Sequence, residues 1–286
     1  MPELPEVETT RKGIQPKVAQ QTITAFVIRD GRLRWPVEKH LQKTLPGLVV
    51  LSVERRGKYI LLNTRKGSLL IHLGMSGNLR IVPIDTEVQK HDHIDIGFAN
   101  GYLLRLNDPR RFGSVLWHDA ILGPVEGHKL LAKLAPEPLT DNFNGAYFYA
   151  KSAHRKVAIK SLVMNSQVVV GAGNIYANEA LFMSCIHPQT QANLLTRNQC
   201  DLLVRNIKSV LIAAIEQGGT TLKDFLSPDG KPGYFVQQLN VYGQDGQACP
   251  KCQRPIEKIM INQRASFYCP KCQPYQAPRV LKISKL

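Results

Sequence analysis

The sequence predicts an α+β protein: an N-terminal β-sandwich with flanking helices, followed by a helical region and a cysteine-bearing β-hairpin. Short apolar runs alternate with turn signals from about residue 22 to residue 118, which is typical of antiparallel sheets. Apolar residues recur at helical spacing in NQCDLLVRNIKSVLIAAIEQGG. Two Cys-Pro-Lys-Cys segments lie one hairpin's length apart near the C-terminus.

The N-terminal segment predicts a helix that is followed by strands. MPELPEVETTRKG places Pro5 in the first turn of a helix, where the missing N–H of proline costs nothing. The strand segments are TITAFVI, LVVLSVERR, YILLNTRKGSLLIHLG, DHIDIGFANGYLLRL and GSVLWH. The Asn100-Gly101 pair between two such runs is a strong hairpin signal. These segments predict a β-sandwich or flattened barrel that is capped by the helix.

Composition changes after the strands and sets the predicted domain boundaries. LGPVEGHKLLAKLAPEPLTDNFNG is helical but punctuated by proline and glycine, so we place a linker there. GGTTLKDFLSPDGKPGYF (218–235) has no clear periodicity and predicts a functional or mobile loop. The predicted organisation is a β-sandwich domain at 2–125, a linker at 126–140, a helical domain at 141–235, a zinc finger at 236–273 and a basic tail at 274–286.

The charge balance predicts a polyanionic partner. The 286 residues include 37 Lys and Arg against 22 Asp and Glu, a formal net charge of +15. Such an imbalance favours nucleic acid over an anionic membrane surface. The acidic start lacks the apolar core of a secretory signal, and no apolar run is long enough to span a bilayer. We expect a cytoplasmic, nucleoid-associated monomer.

The four clustered cysteines predict a zinc site. They form the pattern C-x2-C-x16-C-x2-C, and each C-x2-C turn can present two thiolates to one tetrahedral Zn²⁺ ion. A pair of disulfides is the alternative, which the lack of a secretory signal disfavours. IEKIMINQRASFYC, between the pairs, alternates like a hairpin that turns near Asn262 to Ala265. The predicted ligands are Cys249, Cys252, Cys269 and Cys272.

Two motifs suggest contacts with DNA. In GAGNIYANEALF, glycines precede Asn174 at a predicted helix start, where backbone amides can approach a phosphate. An ordinary pair of helices explains this motif equally well. In DPRRFG, an exposed Phe112 beside Arg110 and Arg111 could wedge into a base stack. Taken alone, the motif favours a salt-bridged arginine pair beside a core phenylalanine.

Two further motifs carry weaker signals. HLGMSG places Met75 on a loop flanked by glycines, where a core position is the default expectation. The HDH segment at 91–93 offers two histidines, but no third ligand lies near it in the sequence. Phosphate contact or solvent exposure is therefore favoured over metal binding.

The order of these motifs resembles the formamidopyrimidine-DNA glycosylases. PELPEVET, HLGMSG, DPRRFG, GAGNIYANEALF, GGTTLKDFL and the paired CPKC segments occur in one sequence, so the resemblance covers residues 2 to about 273. PELPE rather than PEGPE separates the chain from the related endonuclease VIII proteins, which prefer oxidised pyrimidines. The resemblance implies an N-terminal β-sandwich, a helix-two-turn-helix domain, a hairpin with one structural zinc ion, and damaged duplex DNA in the cleft between domains.

The resemblance also implies a catalytic set and a reaction. The enzyme would excise 8-oxoguanine and formamidopyrimidines and then cleave the abasic site by β,δ-elimination. Removal of Met1 would expose the secondary amine of Pro2, whose attack on C1′ yields an iminium that is cationic without holding a proton. Glu3 would act as acid and base, with Glu6 in the same acidic turn. Lys58 would assist β-elimination and contact phosphate, and Arg264 would assist δ-elimination.

Other positions match the DNA contacts of the family. The residues expected to hold the bent backbone are His72, His91, Arg110, Arg155, Asn174, Tyr242 and Arg264. Those expected to fill the void left by the everted base and to wedge the opposite strand are Met75, Arg110 and Phe112. The loop from Thr220 to Tyr234 would close over the flipped base.

Two departures from the family pattern are visible. Asn165 stands where the family usually has aspartate, so a carboxylate near the site would be lost although either residue can cap a helix. The tail PYQAPRVLKISKL extends past the last zinc ligand, and its basic residues suggest either extra DNA affinity or a disordered solubilising tail. Two alternative functions remain open: an endonuclease VIII-like glycosylase for oxidised pyrimidines, and a non-catalytic zinc-dependent DNA-binding protein.

Overall fold

The computed structural model describes residues 2–219 and 239–277, and the chain divides into two compact units. The first unit is Met1–Leu134 together with Ala213–Gln237, and the second is Ala135–Ile212 together with Gln238–Leu286. The boundary after Leu134 lies inside the predicted linker. Among the described residues, no helix is both long and apolar enough to cross a membrane.

Between residues 2 and 134, the first unit contains two α-helices and eight strands. In chain order these elements are α1 (Leu4–Val18), β1 (Ile23–Ile28), α2 (Leu41–Thr44), β2 (Ser52–Arg56), β3 (Tyr59–Thr64), β4 (Gly67–His72), β5 (Asn78–Pro83), β6 (Asp92–Phe98), β7 (Tyr102–Asn107) and β8 (Ser114–Asp119). Helix α1 begins at the turn that contains Pro5, as predicted. The Asn100-Gly101 pair joins β6 to β7, and Gly101 takes the positive φ of +81° that such a turn requires.

The eight strands form a β-sandwich, as predicted. One antiparallel sheet has the order β1-β6-β7-β5 and the other has the order β2-β3-β4-β8. Their facing side chains share one apolar core with α1, to which Val7, Phe26, Ile60, Ile71 and Ile94 belong. The opposite face of the second sheet is also covered, because Leu61 and Leu70 pack against Leu131. Strands β3 and β4 are therefore apolar on both faces.

A buried charged network lies on the other sheet. The Arg105 guanidinium donates hydrogen bonds of 2.8 Å and 2.9 Å to the two carboxylate oxygens of Asp95. It also donates to the carbonyl oxygens of Thr86 and Glu87 at 3.1 Å and 2.9 Å. Arg105 is only 1% exposed. This network fixes the loop between β5 and β6, and that loop ends at His91.

The second unit is helical and ends in the predicted hairpin. Its elements are α3 (Gly145–Ser152), α4 (Ile159–Val163), α5 (Asn174–Met183), α6 (Arg197–Glu216), β9 (Glu257–Ile261) and β10 (Arg264–Tyr268). Helix α5 is buried along most of its length, from Ile175 to Phe182. Helix α6 continues into the residues that are grouped with the first unit. The predicted helical spacing of α6 and the predicted β9–β10 hairpin are confirmed.

Two sequence predictions lie outside the described residues. The loop from Thr220 to Tyr234 is one of them. The basic residues of the tail, Arg279, Lys282 and Lys285, are the other.

Replacing Asp95 by Asn tests the buried network. Burial by itself would raise the pKa of Asp95, but hydrogen bonds and charges from Arg105 and Arg29 outweigh it and lower that pKa. A carboxylate with a lowered pKa contributes stability above its unfolded pKa and loses it as the pH falls through the folded pKa. Asp95→Asn should therefore cost about 3 kcal/mol near neutral pH, and this cost should shrink in acid.

The measurement is urea denaturation of the full chain at a series of pH values, monitored with a spectroscopic probe that reports on the first unit. The exposed Asp85→Asn is the matched control, and it should change the unfolding midpoint little at any pH. A cost for Asp95→Asn that is constant across the pH series would contradict this account of the network.

Candidate active site

The first turn of α1 fixes the residues beside the predicted nucleophile. Pro2 is buried, and the backbone N–H of Glu3 donates a 2.8 Å hydrogen bond to a carboxylate oxygen of Glu6. A side chain three positions into a helix thereby satisfies a free N–H at its start. Glu3 and Glu6 are 3% and 2% exposed, which is rare for carboxylates and marks candidate functional groups.

The C-terminal end of α6 reaches the same turn within the first unit. Gly219 has a φ of +81°, and its N–H donates a 2.7 Å hydrogen bond to the carbonyl oxygen of Ala214. A Cβ atom at this position would lie 3.0 Å from a carboxylate oxygen of Glu6. Glycine is therefore favoured both by the backbone conformation and by the close approach to Glu6.

Lys58 lies in the two-residue turn that joins β2 to β3. Arg56 pairs with Tyr59 across this turn, and Gly57 has a φ of +58° while Lys58 does not have a positive φ. Glycine with positive φ at the first central position is the pattern of a type II′ turn, whose twist matches that of the paired strands. The turn holds the backbone of Lys58 at a defined place beside Tyr59.

His72 lies opposite Tyr59 in the β3–β4 pair, with its ring centroid 4.9 Å from that of Tyr59. Burial, together with the charges of Lys58 and Arg34, lowers the pKa of His72 to about 4. Its Nδ1 accepts a 3.0 Å hydrogen bond from the N–H of Gly74. The neutral ring therefore carries its proton on Nε2, which can donate to a phosphate oxygen.

The buried carboxylate of Asp108 joins the two loops that carry Met75 and Phe112. One of its oxygens accepts a hydrogen bond from Ser76 Oγ and the other accepts one from the N–H of Gly113, both at 2.8 Å. Asp108 has no exposed surface. A buried carboxylate that keeps its hydrogen bonds resists movement, since a broken bond would leave a charge without a partner. The two loops are thus fixed to each other.

These loops present apolar side chains to solvent. Met75 is 37% exposed and Phe112 is 46% exposed, so neither belongs to the core, which was the alternative for both. The Arg110 guanidinium lies 4.9 Å from the centroid of the Phe112 ring, a cation–π contact. Arg111 points elsewhere and forms a 3.0 Å ion pair with Asp30. The arrangement suits Met75, Arg110 and Phe112 for insertion into a base stack.

His91 adjoins the same cluster through its backbone. Its carbonyl oxygen accepts a 3.1 Å hydrogen bond from the N–H of Asp108, and Nε2 of His93 lies 2.9 Å from the carbonyl oxygen of Asp108. Within residues 2–219 and 239–277, only the cysteines bring three or more metal-type ligand atoms close enough to share an ion. The HDH segment therefore fits phosphate contact better than metal binding.

Helix α5 organises the second unit through a buried carboxylate. Glu179 accepts hydrogen bonds of 2.9 Å, 3.0 Å and 2.9 Å from the backbone N–H groups of Asn240, Val241 and Tyr242. The side chain of Asn178 accepts a 2.8 Å bond from the N–H of Phe267 on β10. One helix thus positions both the segment of Tyr242 and the strand that begins at Arg264.

Arg264 follows a tight turn and is exposed. Asn262 and Gln263 have φ values of +47° and +60°, and a two-residue hairpin loop with both φ angles positive is a type I′ turn. The buried Lys160 donates hydrogen bonds of 2.7 Å and 2.6 Å to the carbonyl oxygen of Ala265 and the hydroxyl of Ser266. Its contacts hold the start of β10, and hence the backbone of Arg264.

Three further polar residues of the second unit lie in loops or at the start of a helix. Asn174 is the first residue of α5, and its Oδ1 is buried without a hydrogen-bond partner among the described residues. Arg155 is exposed in the loop between α3 and α4. Asn165 accepts a 2.9 Å hydrogen bond from the N–H of Gln167, so it caps the turn that follows α4 in the way that either asparagine or aspartate can.

The four predicted zinc ligands converge in the second unit. Their sulfur atoms lie within 4.8 Å of one another, with Sγ–Sγ distances of 3.9 Å for Cys249–Cys272 and 3.4 Å for Cys252–Cys269. Tetrahedral coordination at a Zn–S distance near 2.3 Å places sulfur atoms roughly 3.8 Å apart. The cysteines fit one structural zinc ion and would hold it as thiolates.

Sequence reasoning missed the buried residues that position these side chains. Asp108 and Glu179 stand inside the DPRRFG and GAGNIYANEALF motifs, whose arginines and glycines carry the stronger local signals. Lys160 follows a loop and carries no local pattern. The available signal was Glu179 as the single charged residue of a mostly apolar helix, because such a residue is buried only with partners.

Comparisons with known proteins agree with this geometry. Three family models match: the formamidopyrimidine-DNA glycosylase N-terminal domain at residues 1–115, the H2TH domain of the same glycosylases at residues 134–226, and the zinc finger found in FPG and IleRS at residues 246–274. A formamidopyrimidine-DNA glycosylase of Hydrogenovibrio crunogenus is 61% identical over 273 residues, which cover 96% of each chain.

Solved structures are also similar. A Lactococcus lactis Fpg in complex with DNA containing an abasic site matches with a TM-score of 0.87 and 31% identity, over 95% of this chain and 99% of that one. A MutM structure in complex with DNA containing carbocyclic 8-oxo-G matches with a TM-score of 0.87 and 32% identity, over 96% and 100% of the two chains.

Removing the zinc ion, or replacing Cys269 by Ser, should unfold the β9–β10 hairpin. A small hairpin has too little apolar surface to fold alone, so its stability depends on metal coordination. We expect one zinc ion per chain in the native protein. Loss of zinc should remove hydrogen-exchange protection from β9 and β10 while the β-sandwich keeps its own.

The exposed Cys185→Ser is the matched control, and it should retain both zinc and protection. Full hairpin protection in the chelated protein would show that the metal has no structural role.

Proposed function

The chain belongs to the formamidopyrimidine-DNA glycosylase family, and from this premise we propose how its residues perform the reaction of a glycosylase and abasic-site lyase. Enzymes of this class remove oxidised purines in base-excision repair and then cleave the abasic strand. We place Pro2 as the nucleophile and damaged duplex DNA as the partner. The chain would act as a monomer on chromosomal DNA in the cytoplasm.

The chemistry begins at the amine of Pro2 once Met1 has been removed. The nitrogen forms a bond to C1′ of the damaged nucleotide while the bond from C1′ to the base breaks. The nitrogen loses its proton, the departing base takes one up, and the nitrogen lone pair then breaks the bond from C1′ to the ring oxygen O4′ as that oxygen is protonated. Because the amine is secondary, the resulting iminium stays cationic and can withdraw electrons during the later eliminations. We assign the uptake and return of protons to Glu3, which is buried and follows Pro2 in the chain.

Strand cleavage needs two further groups. β-Elimination removes a proton from C2′ and breaks the bond to the 3′ oxygen, and we assign assistance in this step to Lys58. δ-Elimination then breaks the bond to the 5′ oxygen, and we assign assistance there to Arg264. Both residues follow or occupy tight hairpin turns, which keep their backbones rigid.

We assign the contacts with the DNA backbone to polar residues of both units. The side chains that would bind phosphates or hold the bent backbone are His72, His91, Arg110, Arg155, Asn174, Tyr242 and Arg264. Neutral His72 would donate a hydrogen bond, whereas the arginines add charge and release counterions. Met75, Arg110 and Phe112 would fill the space that the everted base leaves.

The observation that carries this proposal is the burial of Glu3 and Glu6 beside Pro2. Burying two carboxylates at the start of a helix is costly, although both take part in the reciprocal capping box of α1. Capping alone does not need buried carboxylates, because Ser, Thr, Asp or Asn at an exposed helix start satisfies the same N–H groups. A catalytic amine, in contrast, needs a nearby group that exchanges protons.

Excision assays on defined duplexes test the proposed substrate class. We expect release of 8-oxoguanine opposite cytosine at least about tenfold faster than release of an oxidised pyrimidine opposite adenine. The cleaved strand should end in phosphate on both sides of a one-nucleotide gap, because β- and δ-elimination both occur. An undamaged duplex of the same sequence is the control.

Faster release of the pyrimidine would favour an endonuclease VIII-like specificity. Binding of the duplex without any strand cleavage would indicate a zinc-dependent DNA-binding protein that has no catalytic activity. Either result would overturn the proposal.

A further inference from the structure

The Arg55 side chain links α1 to the turn that carries Lys58. Its Nε donates a 3.0 Å hydrogen bond to a carboxylate oxygen of Glu8 on α1. Its Nη1 donates a 2.9 Å hydrogen bond to the carbonyl oxygen of Gly57, the residue before Lys58. A planar guanidinium with its donors in a fixed fork can hold two partners in one geometry. Arg55 therefore ties the helix that starts beside Pro2 to the β2–β3 turn.

A second arginine keeps the Glu8 carboxylate in place. Arg11 donates to both oxygens of Glu8, at distances of 2.8 Å to 3.1 Å, and also to the carbonyl oxygen of Val53 on β2 at 3.3 Å. Burial would raise the pKa of Glu8, but the two arginines outweigh this effect and lower it. The carboxylate stays charged, and with 14% of its side chain exposed it is only weakly screened by salt.

The two arginines at the end of β2 point to different partners. Arg56 donates a 2.9 Å hydrogen bond to the carbonyl oxygen of Leu134. Arg55 instead contacts α1 and is only 11% exposed. A side chain so enclosed and already engaged with Glu8 is poorly placed to bind a phosphate itself. Its contacts suit a role that acts through its neighbours.

We propose that Arg55 is a positioning residue for the lyase reaction, which holds the Lys58 turn in register with the first turn of α1. This inference rests on the proposed function, in which Pro2 and Lys58 act on adjacent carbon atoms of one sugar. Pro2 precedes α1 and Lys58 lies in the β2–β3 turn. The distance between them therefore depends on the contacts that join the helix to the turn. A misplacement of about 1 Å can cost on the order of 100-fold in rate.

Arg55→Met removes this link while sparing the fold. Glu8 keeps its hydrogen bonds to Arg11, so no buried charge is left without a partner. Methionine fills much of the space of the arginine side chain. Arg55→Lys supplies donors without the planar fork and serves as the conservative variant. Arg65→Met, which removes an exposed arginine from the β3–β4 turn, is the control of equal charge.

The experiment measures two quantities for each variant. One is the single-turnover rate of strand cleavage at a preformed abasic site in duplex DNA. The other is the Kd for a duplex that carries the uncleavable tetrahydrofuran analogue of that site. We expect Arg55→Met to lower the rate about 10-fold to 100-fold, with a change in Kd of less than about threefold. Arg55→Lys should fall between Arg55→Met and the wild type, and Arg65→Met should match the wild type.

The outcomes separate the two proposals. A wild-type rate in Arg55→Met would overturn the positioning role. So would a slower rate that is matched by an equal loss of binding and a lower Tm, because that pattern indicates general destabilisation. A wild-type protein that fails to cleave the abasic site would instead refute the proposed function.

Discussion

The hydrogen bond from the Glu3 N–H to the Glu6 carboxylate is the contact on which the proposed active site depends. Pro2 is the proposed nucleophile, and the described residues after it hold it in place. Chain ends are normally mobile unless something fixes them. Here the helix begins at Leu4 and its first turn is buried, so the chain is ordered from its second residue onward.

Buried carboxylates that accept backbone hydrogen bonds recur elsewhere in the molecule. Asp108 joins the two loops that present Met75 and Phe112, and Glu179 binds three successive backbone N–H groups in front of the zinc hairpin. In each case a buried carboxylate satisfies donors of an irregular segment that has no secondary structure of its own. Such contacts hold loops as firmly as strands, because breaking one leaves an unpaired charge in the interior.

Much of the fold could be predicted from local patterns, and the organising contacts could not. Alternating apolar runs, the Asn100-Gly101 turn and the cysteine spacing each reflect a rule that acts within a few residues, and all three are borne out. The contact between Gly219 and Glu6 joins residues more than two hundred positions apart. Such a contact leaves no periodic pattern in the sequence. The sequence therefore shows which residue types are present but not which residues are in contact.

The site residues also include some that could be predicted from the sequence and some that could not. The resemblance to a family predicts roles for Pro2 and Lys58, because the motifs that carry the resemblance occur in the same order along the chain. Exposure was harder to predict: Met75 and Phe112 are apolar, and a core position was the default for each, yet both are exposed on loops. An apolar residue on the surface has no signature in composition. The carboxylate of Asp108 joins the two loops that carry these residues, and that contact too is absent from any local pattern.

The most direct test of the central claim is borohydride trapping on duplex DNA that contains 8-oxoguanine opposite cytosine. Borohydride reduces the iminium and makes the link between protein and DNA permanent. Peptide mapping by mass spectrometry then identifies the attached residue. The account predicts an adduct at Pro2 in the wild type and none with Pro2→Gly. An undiminished adduct at another residue in that variant would contradict it.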